Sequence, residues 1–253
     1  MQVHAVPAFQ DNYLWVLTAG RHAAVVDPGD AAPVQRFLEA NGLELSAILA
    51  THHHGDHVGG VRSLVERWKC PVFGPAHDGV AALDRKLGEG DRVEVPGVGV
   101  GFSVLDVPGH TAGHIAYVGE GVAFCGDTLF ACGCGRLFEG TPAQMLDSLG
   151  KLAALAPATR VYCAHEYTLS NIRFARAVEP GNAALAAREA RDRATRERGE
   201  PTVPSTIGDE LATNPFLRCH EPEVVASAER HAGRRLASTV DVFAEIRSWK
   251  NDF

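Results

Sequence analysis

The chain of 253 residues is predicted to fold as a layered α/β body followed by a small helical region. Short apolar segments alternate with helical ones over the first two-thirds, which is typical of sheets covered by helices. Residues 168–253 show no β-rich segment and include the alanine- and charge-rich stretch 182–199, where Glu189 precedes Arg193 by four residues, the favourable order on a helix. We therefore expect an α/β domain over 1–167 and a helical domain over 168–253.

The strands predicted for the first domain are short apolar runs that end at turn residues. In chain order they cover 3–9, 13–19, 22–29, 45–51, 70–74, 91–95, 99–107, 114–118, 121–126 and 160–165. Helices are predicted at 32–41, which ends at the common stop signal Asn41-Gly42, and at 58–68 and 142–153. In the second domain we expect helices at 170–178, 182–199 and 222–250.

The composition excludes several classes of protein. A hydrophobic content of 45% and a charged content of 22% are those of an ordinary globular protein. No apolar run approaches the ~20 residues that a membrane span needs, and "MQVHAVPAF" lacks the pattern of a secretory signal. A net charge of −7 disfavours general binding to nucleic acid, which depends on a positive field.

The six cysteines show no disulfide framework. Cys132 and Cys134 are separated by one residue and lack a second pair, so they do not have the spacing of a structural zinc site. Reduced thiols and no export signal predict a cytoplasmic protein. Since nothing indicates an exposed apolar face, we expect a monomer.

The segment "THHHGDHVGG" (51–60) places four histidines and an aspartate within seven positions. His52 and His54 point to the same side of an extended backbone, whereas His53 points away. Asp56 and His57 follow Gly55, where the chain can turn sharply. Because a catalytic zinc usually has three protein ligands and an open position, these four candidate ligands suggest two metals with further ligands from elsewhere.

Candidate partners follow other apolar strands. His110 lies in "DVPGHTAGH", Asp127 in "VAFCGDTLF" and His165 in "VYCAHEYT". Alone, each would more often be a structural residue or a turn cap, but beside the histidine segment they become candidate ligands. His114, four residues after His110, is expected to orient ligands instead of binding metal. Histidines without such context are taken as structural: His4, His22, His77, His220 and His231.

The series "THHHGDH", "PGHTAGH", "CGDTLF", "GCGRLFEGT" and "CAHEYT" resembles the glyoxalase II family of the metallo-β-lactamase superfamily. "DNYLW" (11–15) and "NPFLR" (214–218) extend the resemblance over nearly the whole chain. It implies an αββα sandwich of the metallo-β-lactamase type with a C-terminal helical, substrate-binding domain. The α/β organisation read from the strand and helix pattern agrees with this fold.

The resemblance also implies a dinuclear site. One metal would be held by His52, His54 and His110, and the other by Asp56, His57 and His165. Asp127 would bridge the two, and Asp27 would hydrogen-bond a ligand imidazole. His and carboxylate ligands suit zinc, which we expect, and also iron or manganese.

Such a site suits hydrolysis of a thioester, with a metal-bound hydroxide as nucleophile and Asp56 and Asp127 as its catalytic carboxylates. The leaving thiol has a pKa of about 8.5, so no general acid is required. The implied substrate is S-D-lactoylglutathione, cleaved to D-lactate and glutathione in methylglyoxal detoxification. The residues implied to bind it are Arg136, Leu137, Phe138, Tyr167, Arg247 and Lys250.

Phe138 departs from family members that carry tyrosine there, and it loses a hydroxyl that could bind the glycine end of glutathione. The alternative activity is that of a persulfide dioxygenase with one iron, but His165 and "GCGRLFEGT" favour the hydrolase. An RNA-processing nuclease would need a basic surface. A metal-binding protein without catalysis would not retain seven candidate ligands.

Overall fold

Two six-stranded sheets organise the computed structural model, which describes residues 1–253. The first sheet contains, in spatial and chain order, Gln2–Ala8 (β1), Asn12–Ala19 (β2), His22–Val26 (β3), Glu44–Leu49 (β4), Val72–Pro75 (β5) and Arg85–Leu87 (β6). It is antiparallel from β1 to β3 and parallel from β3 to β6. The sheet is therefore mixed, as an α/β protein with crossover helices requires.

The second sheet starts with Arg92–Val95 (β7), Val100–Asp106 (β8), Ile115–Gly119 (β9) and Val122–Gly126 (β10). After a hairpin formed by Leu129–Phe130 (β11) and Gly133–Cys134 (β12), it gains Arg160–Cys163 (β13) and Ser205–Thr206 (β14). Its spatial order is β14-β13-β10-β9-β8-β7, and only β10 and β13 pair in parallel.

Strict alternation along β2 and β3 creates two cores on the opposite faces of the first sheet. Trp15 and Val26 face the second sheet, within a continuous cluster of 43 buried residues that extends into the helical region. Leu14 and Val25 face the other way, toward the helices that cover this sheet, within a separate cluster of 15 buried residues.

Nine helices complete the fold. They are Ala31–Asn41 (α1), Gly55–Val58 (α2), Val61–Trp68 (α3), Pro142–Ala153 (α4), Thr168–Val178 (α5), Ala183–Glu197 (α6), Ile207–Thr213 (α7), Pro222–Ala232 (α8) and Thr239–Asp252 (α9). Local signals explain several boundaries: α4 starts with a capping box at Thr141 and Gln144, and α1 ends at Gly42 in the left-handed conformation. None of the nine is both long and apolar enough to span a bilayer.

The predicted fold class, an αββα sandwich with a C-terminal helical region, is confirmed, and several boundaries are corrected. The strand predicted over 22–29 ends at Val26, because Asp27 has a positive φ of 52°. The helix predicted over 58–68 starts only at Val61, as α3, because Val58 ends the separate short helix α2. The helical region predicted over 222–250 is interrupted after Ala232, where Gly233 ends α8, and α9 begins at Thr239. β6, the β11–β12 hairpin, α7 and β14 were not predicted. β14 shows that the helical region also adds a short strand to the second sheet.

Candidate metal centre and substrate cavity

The predicted ligands come together because several strands end at one edge of the sandwich. β3 and β4 are parallel, as are β10 and β13, so their carboxyl ends lie side by side. Asp27 follows β3 directly, the histidine segment follows β4, Asp127 follows β10, and His165 comes two residues after β13. Polar groups placed at strand ends avoid disrupting the apolar interior while remaining rigidly held.

The histidine segment changes from extended backbone to helix as it leaves β4. His54 is the N-cap of α2, with φ −61° and ψ 145°, and Asp56 and His57 belong to the helix itself. Close backbone packing fixes α2: a Cβ atom on Gly29 would lie 1.8 Å from the carbonyl oxygen of Asp56. Glycine is therefore required at position 29 for α2 to approach the loop after β3.

Three imidazole nitrogens converge at the first cluster. His54 Nδ1 lies 3.2 Å from His52 Nε2 and 3.0 Å from His110 Nε2. These distances are close to the ~3.3 Å expected between nitrogen ligands at 2.0–2.1 Å from a tetrahedral zinc. The first predicted ligand set is thus brought together in the fold.

The second cluster contains Asp56, His57 and His165. Asp56 Oδ2 lies 3.6 Å from His57 Nε2 and 3.4 Å from His165 Nε2. Asp127 lies between the clusters: its Oδ1 is 3.4 Å from both His57 Nε2 and His165 Nε2, and its Oδ2 is 3.4 Å from His110 Nε2. One carboxylate therefore presents one oxygen to each cluster, which is the geometry of a bridging ligand.

The outward nitrogens of four of these histidines have hydrogen-bond acceptors. His57 Nδ1 donates to Asp27 at 3.1 Å, His110 Nδ1 to the carbonyl of Arg136 at 2.9 Å, and His165 Nδ1 to Asp11 at 2.8 Å. The Thr51 hydroxyl donates to Asp27, so its oxygen accepts from His52 Nδ1. These bonds place the ring proton on the outer nitrogen and direct a lone pair from each Nε2 into the site.

The electrostatics of the two clusters differ. Burial lowers the pKa values of His52, His54 and His110, so these rings remain neutral ligands at neutral pH. Burial alone would lower the pKa of His57 too, but the carboxylates of Asp127 and Asp27 raise it well above its ordinary value. Burial would raise the pKa of Asp127, yet His57 and His165 hold it well below its ordinary value.

Two buried atoms at this junction have no hydrogen-bond partner: His57 Nε2 and Asp127 Oδ1. Unpaired buried polar atoms are costly, and here both lie beside the two other donor atoms of the second cluster, Asp56 Oδ2 and His165 Nε2. A divalent cation would satisfy them together. The donor set of imidazoles and carboxylates fits zinc, iron or manganese.

Asp27 and His114 support the site from behind. Asp27 accepts from the Thr51 N–H at 2.7 Å, in addition to its bonds with the Thr51 hydroxyl and His57. His114 is fully buried, and burial lowers its pKa to about 3. Its Nδ1 donates to the carbonyl of Ile115 and its Nε2 accepts from the backbone N–H of Asp127. It therefore orients a candidate ligand, as the sequence suggested.

His53 points away from the two clusters, as expected. Its Nδ1 makes a short hydrogen bond with Asp78, whose other oxygen accepts from the Thr111 hydroxyl at 2.7 Å. None of the histidines taken as structural lines the cavity: His4, His22, His77, His220 and His231.

A cavity of about 690 Å³ opens from the clusters toward the helical region. Four cationic side chains line it, whereas its only acidic side chains are the candidate ligands Asp56 and Asp127. The cations are Arg136, Arg173, Arg247 and Lys250. Two of the predicted substrate-binding residues that line the cavity are aromatic, Phe138 and Tyr167. Phe138 is 62% exposed and lies edge-on to His54 and His110, while Tyr167 stacks on His165 at 4.7 Å.

Two predicted substrate residues have unexpected surroundings. Arg247 is only 4% exposed, and its Nη1 donates to the carbonyl of Cys134 at 2.9 Å. Arg247 is therefore not part of a solvated helix end, although basic residues in the last turn of a helix commonly are. The side chain of Leu137 packs against the larger core and is not among those that line the cavity.

Sequence reasoning missed several residues at the site. Asp11 holds His165, and the Asn12 amide donates to Asp56 Oδ2 at 3.1 Å. The sequence indicates these two residues only through the segment "DNYLW", which extends the family resemblance but does not assign them a function. Arg173, Ser170 and Asn171 reach the cavity from α5, where nothing in the spacing distinguished them from an ordinary helix face.

Comparison with known proteins covers both parts of the chain. Residues 8–165 match the metallo-beta-lactamase superfamily, and residues 166–253 match the hydroxyacylglutathione hydrolase C-terminus. A hydroxyacylglutathione hydrolase of Alkalilimnicola ehrlichii is 59% identical over 252 residues, covering 99% of this chain and 98% of that protein. The hydroxyacylglutathione hydrolase of Nitrosomonas europaea is 53% identical over 253 residues, covering 100% and 97%.

Solved structures show the same fold. The B3 metallo-beta-lactamase BLEG-1 is 26% identical with a TM-score of 0.63, covering 85% of this chain and 98% of that one. TTHA1623, in a di-iron-bound form, is 28% identical with a TM-score of 0.61, covering 86% and 100%. The full-length relatives decide the assignment. The chain belongs to the hydroxyacylglutathione hydrolase (glyoxalase II) family, thioester hydrolases of the metallo-β-lactamase superfamily.

Proposed function

We propose that this enzyme hydrolyses S-D-lactoylglutathione to D-lactate and glutathione at a dinuclear metal site. The observation that carries the proposal is the placement of Asp127, whose two oxygens face two separate clusters of candidate ligands. The first metal would be held by His52, His54 and His110, and the second by Asp56, His57 and His165. The two-iron form of TTHA1623 supports this count, and zinc is the metal we expect here.

When bound, two such cations polarise a carbonyl and lower the pKa of a coordinated water from ~15.7 to about 7. The protein side of this chemistry is the orientation of the candidate ligands. Asp27, Asp11 and the carbonyl of Arg136 keep three ligand rings in the tautomer that offers Nε2 to the site. The buried Asp127 carboxylate keeps its negative charge between the clusters, because His57 and His165 hold its pKa low.

The cavity lining fits a glutathione thioester, which carries two carboxylates. Arg136, Arg173 and Lys250 form no ion pair with a protein carboxylate within 4.0 Å, so their charges remain available to a ligand. Arg247 adds a fourth cation while it holds the Cys134 carbonyl. Burial and the nearby Asp11 carboxylate raise the pKa of Tyr167, which keeps its hydroxyl protonated as a donor. We place Phe138 and the backbone of Leu137 at the entrance beside Arg136.

We propose that residues 1–167 form the catalytic domain and residues 168–253 the substrate-binding domain. We also propose a monomeric, cytoplasmic enzyme; the six free and buried cysteines suit a reducing compartment.

The direct test is hydrolysis of S-D-lactoylglutathione by the purified protein, followed by the loss of thioester absorbance, with the metal content measured on the same sample. We expect turnover with nearly two metals per chain. Absence of turnover with one iron per chain, together with oxygen uptake on glutathione persulfide, would instead identify a dioxygenase.

Lys250 predicts a distinctive pH dependence. Burial lowers its pKa to about 8, helped by the neighbouring cations Arg247, Arg173 and Arg136 and opposed by Cys134. The Lys250 side chain carries a positive charge below this pKa and loses the charge above it. Its attraction for a substrate carboxylate therefore weakens as the pH rises. We expect kcat/KM, which reports the free enzyme, to fall above pH 8. Lys250→Arg should remove that fall because a guanidinium remains charged. An unchanged alkaline limb in Lys250→Arg would exclude Lys250 as its source.

A further inference from the structure

The β11–β12 hairpin is held by side chains of the helical region at every residue from 130 to 134. Asn214 Nδ2 donates to the carbonyls of Phe130 and Gly133 at 3.2 and 2.9 Å, and Asn171 Nδ2 donates to that of Ala131 at 3.0 Å. The backbone N–H of Cys132 donates to Glu210 Oε2 at 2.8 Å. With the Arg247 bond to Cys134, four side chains form what we call the hairpin clamp: Asn171, Glu210, Asn214 and Arg247.

All four clamp residues are buried, with exposures between 0% and 4%. Hydrogen bonds in such surroundings are stronger than at a surface, and losing one partner leaves the other unsatisfied. Glu210 is paired in turn with the buried Arg188, whose Nη2 lies 2.8 Å from Glu210 Oε1. Arg188 also donates to Thr213 and Asp192. Through Arg188, the Glu210 side chain of the clamp is anchored between α6 and α7.

The hairpin itself has features that need external support. Cys132 has a positive φ of 55°, a conformation that is unfavourable for a side chain of this kind. A Cβ atom on Gly133 would lie 2.5 Å from Asn171 Nδ2, so the clamp packs directly on the backbone. Such strain persists only where the surroundings over-determine the conformation.

The two ends of the hairpin lead to different parts of the site. Asp127, the candidate bridging ligand, lies two residues before β11, and Arg136 lies two residues after β12. The ends are tied together because Gly135 N donates to Thr128 O at 3.2 Å and a Cβ on Gly135 would lie 1.9 Å from Asp127 O. A shift of the hairpin would therefore displace the cavity residue Arg136 relative to the two clusters of candidate ligands.

We propose that Glu210 and Asn214 are positioning residues, through which the helical domain sets the geometry of the segment 127–138. Neither side chain lines the cavity, so both act through the hairpin backbone and not by touching substrate. The helical domain would thus do more than supply substrate contacts, since it would also hold the catalytic domain's own loop in place. This inference rests on the proposed thioester substrate only where kinetics are the readout.

The test compares two matched variants, Glu210→Gln and Glu179→Gln. Both replace a buried glutamate of the helical domain that is paired with arginine, but Glu179 bonds Arg218 and Asn182 and does not touch the hairpin. In Glu210→Gln, an amide NH₂ must face either the Cys132 N–H or Arg188, both of which are donors. Glu179→Gln controls for the loss of a buried glutamate paired with arginine, so a change at the site that occurs only in Glu210→Gln reports on the clamp.

We expect Glu210→Gln to raise KM about tenfold, a fraction of the 10²-fold loss that a 1 Å misplacement can cause, with metal content unchanged. Backbone hydrogen exchange over 129–134 should become faster in this variant. Glu179→Gln should leave KM within about twofold of the wild type and exchange in this segment unchanged. If Glu210→Gln does not fold, Asn214→Ser, which leaves the Glu210–Arg188 pair intact, should give the same two effects.

Wild-type turnover separates the two questions. If the wild type does not hydrolyse the thioester, the proposed function fails, and hydrogen exchange alone still tests the clamp. If it does, an unchanged KM in Glu210→Gln, or equal changes in both glutamine variants, would overturn the positioning role. Unchanged exchange over 129–134 would do the same.

Discussion

Replacing Asp127 with alanine is expected to abolish thioester hydrolysis, with a loss of at least about 10³-fold in kcat. The variant removes the carboxylate that faces both clusters and leaves His57 and His165 without the group 3.4 Å from their Nε2 atoms. Charge stabilisation by a bound metal is worth several kcal/mol, so losing correct metal placement accounts for this magnitude. Metal content and turnover should be measured on the same sample.

Two further variants make that result interpretable. Asp147→Ala removes an exposed carboxylate on α4 that makes no ion pair, so it should leave both metal content and kcat unchanged. Asp127→Asn keeps one oxygen and the side-chain volume, and should retain one metal better than two. Full turnover by a metal-replete Asp127→Ala protein would rule out a bridging role for Asp127.

Gly29→Ala is expected to cause the second large loss, although residue 29 carries no functional group. The added Cβ would lie 1.8 Å from the carbonyl oxygen and 2.3 Å from the carbonyl carbon of Asp56, and both are backbone atoms that cannot rotate away. α2 must therefore shift by about 1 Å or more, a misplacement that can cost about 10²-fold in rate. We expect kcat to fall by about that factor and the second metal to bind more weakly.

Gly150→Ala is the matched control for this steric effect. Gly150 lies within α4, and its Cβ would have nothing within 4 Å. Since alanine favours a helix over glycine by up to about 1 kcal/mol, Gly150→Ala should raise the melting temperature without changing kcat. Wild-type kcat and two bound metals in Gly29→Ala would contradict this prediction. They would show that the packing of α2 against residue 29 does not control the site.

The candidate ligands could be proposed from sequence because the patterns that indicate them are local. Spacing of two residues in extended backbone places His52 and His54 on one side, and a glycine then turns the chain to present Asp56 and His57. The remaining ligands follow apolar strands, and strand ends meet at one edge of a sandwich. The motif series then identified the family, which the comparison with full-length relatives confirms.

Other predictions failed or remained incomplete because their determinants are not local. Nothing near Arg247 indicates that it is buried against a carbonyl 113 positions earlier in the chain. The hairpin at 129–134 was not predicted, since two-residue strands have too few residues to show a period. The support of His165 by Asp11 joins residues 154 positions apart.

Periodicity, turn residues and short-range spacing act within a few residues, so the amino-acid sequence sufficed to predict the fold class, the candidate ligands and the family. The folded structure was needed to learn which oxygen of Asp127 faces which cluster, which nitrogen each histidine offers, and which cations remain unpaired in the cavity. It alone revealed that Glu210 and Asn214 hold the hairpin between Asp127 and Arg136. The physical reason is that hydrogen-bond partners of buried groups are chosen by packing between distant segments, and local sequence does not record that choice.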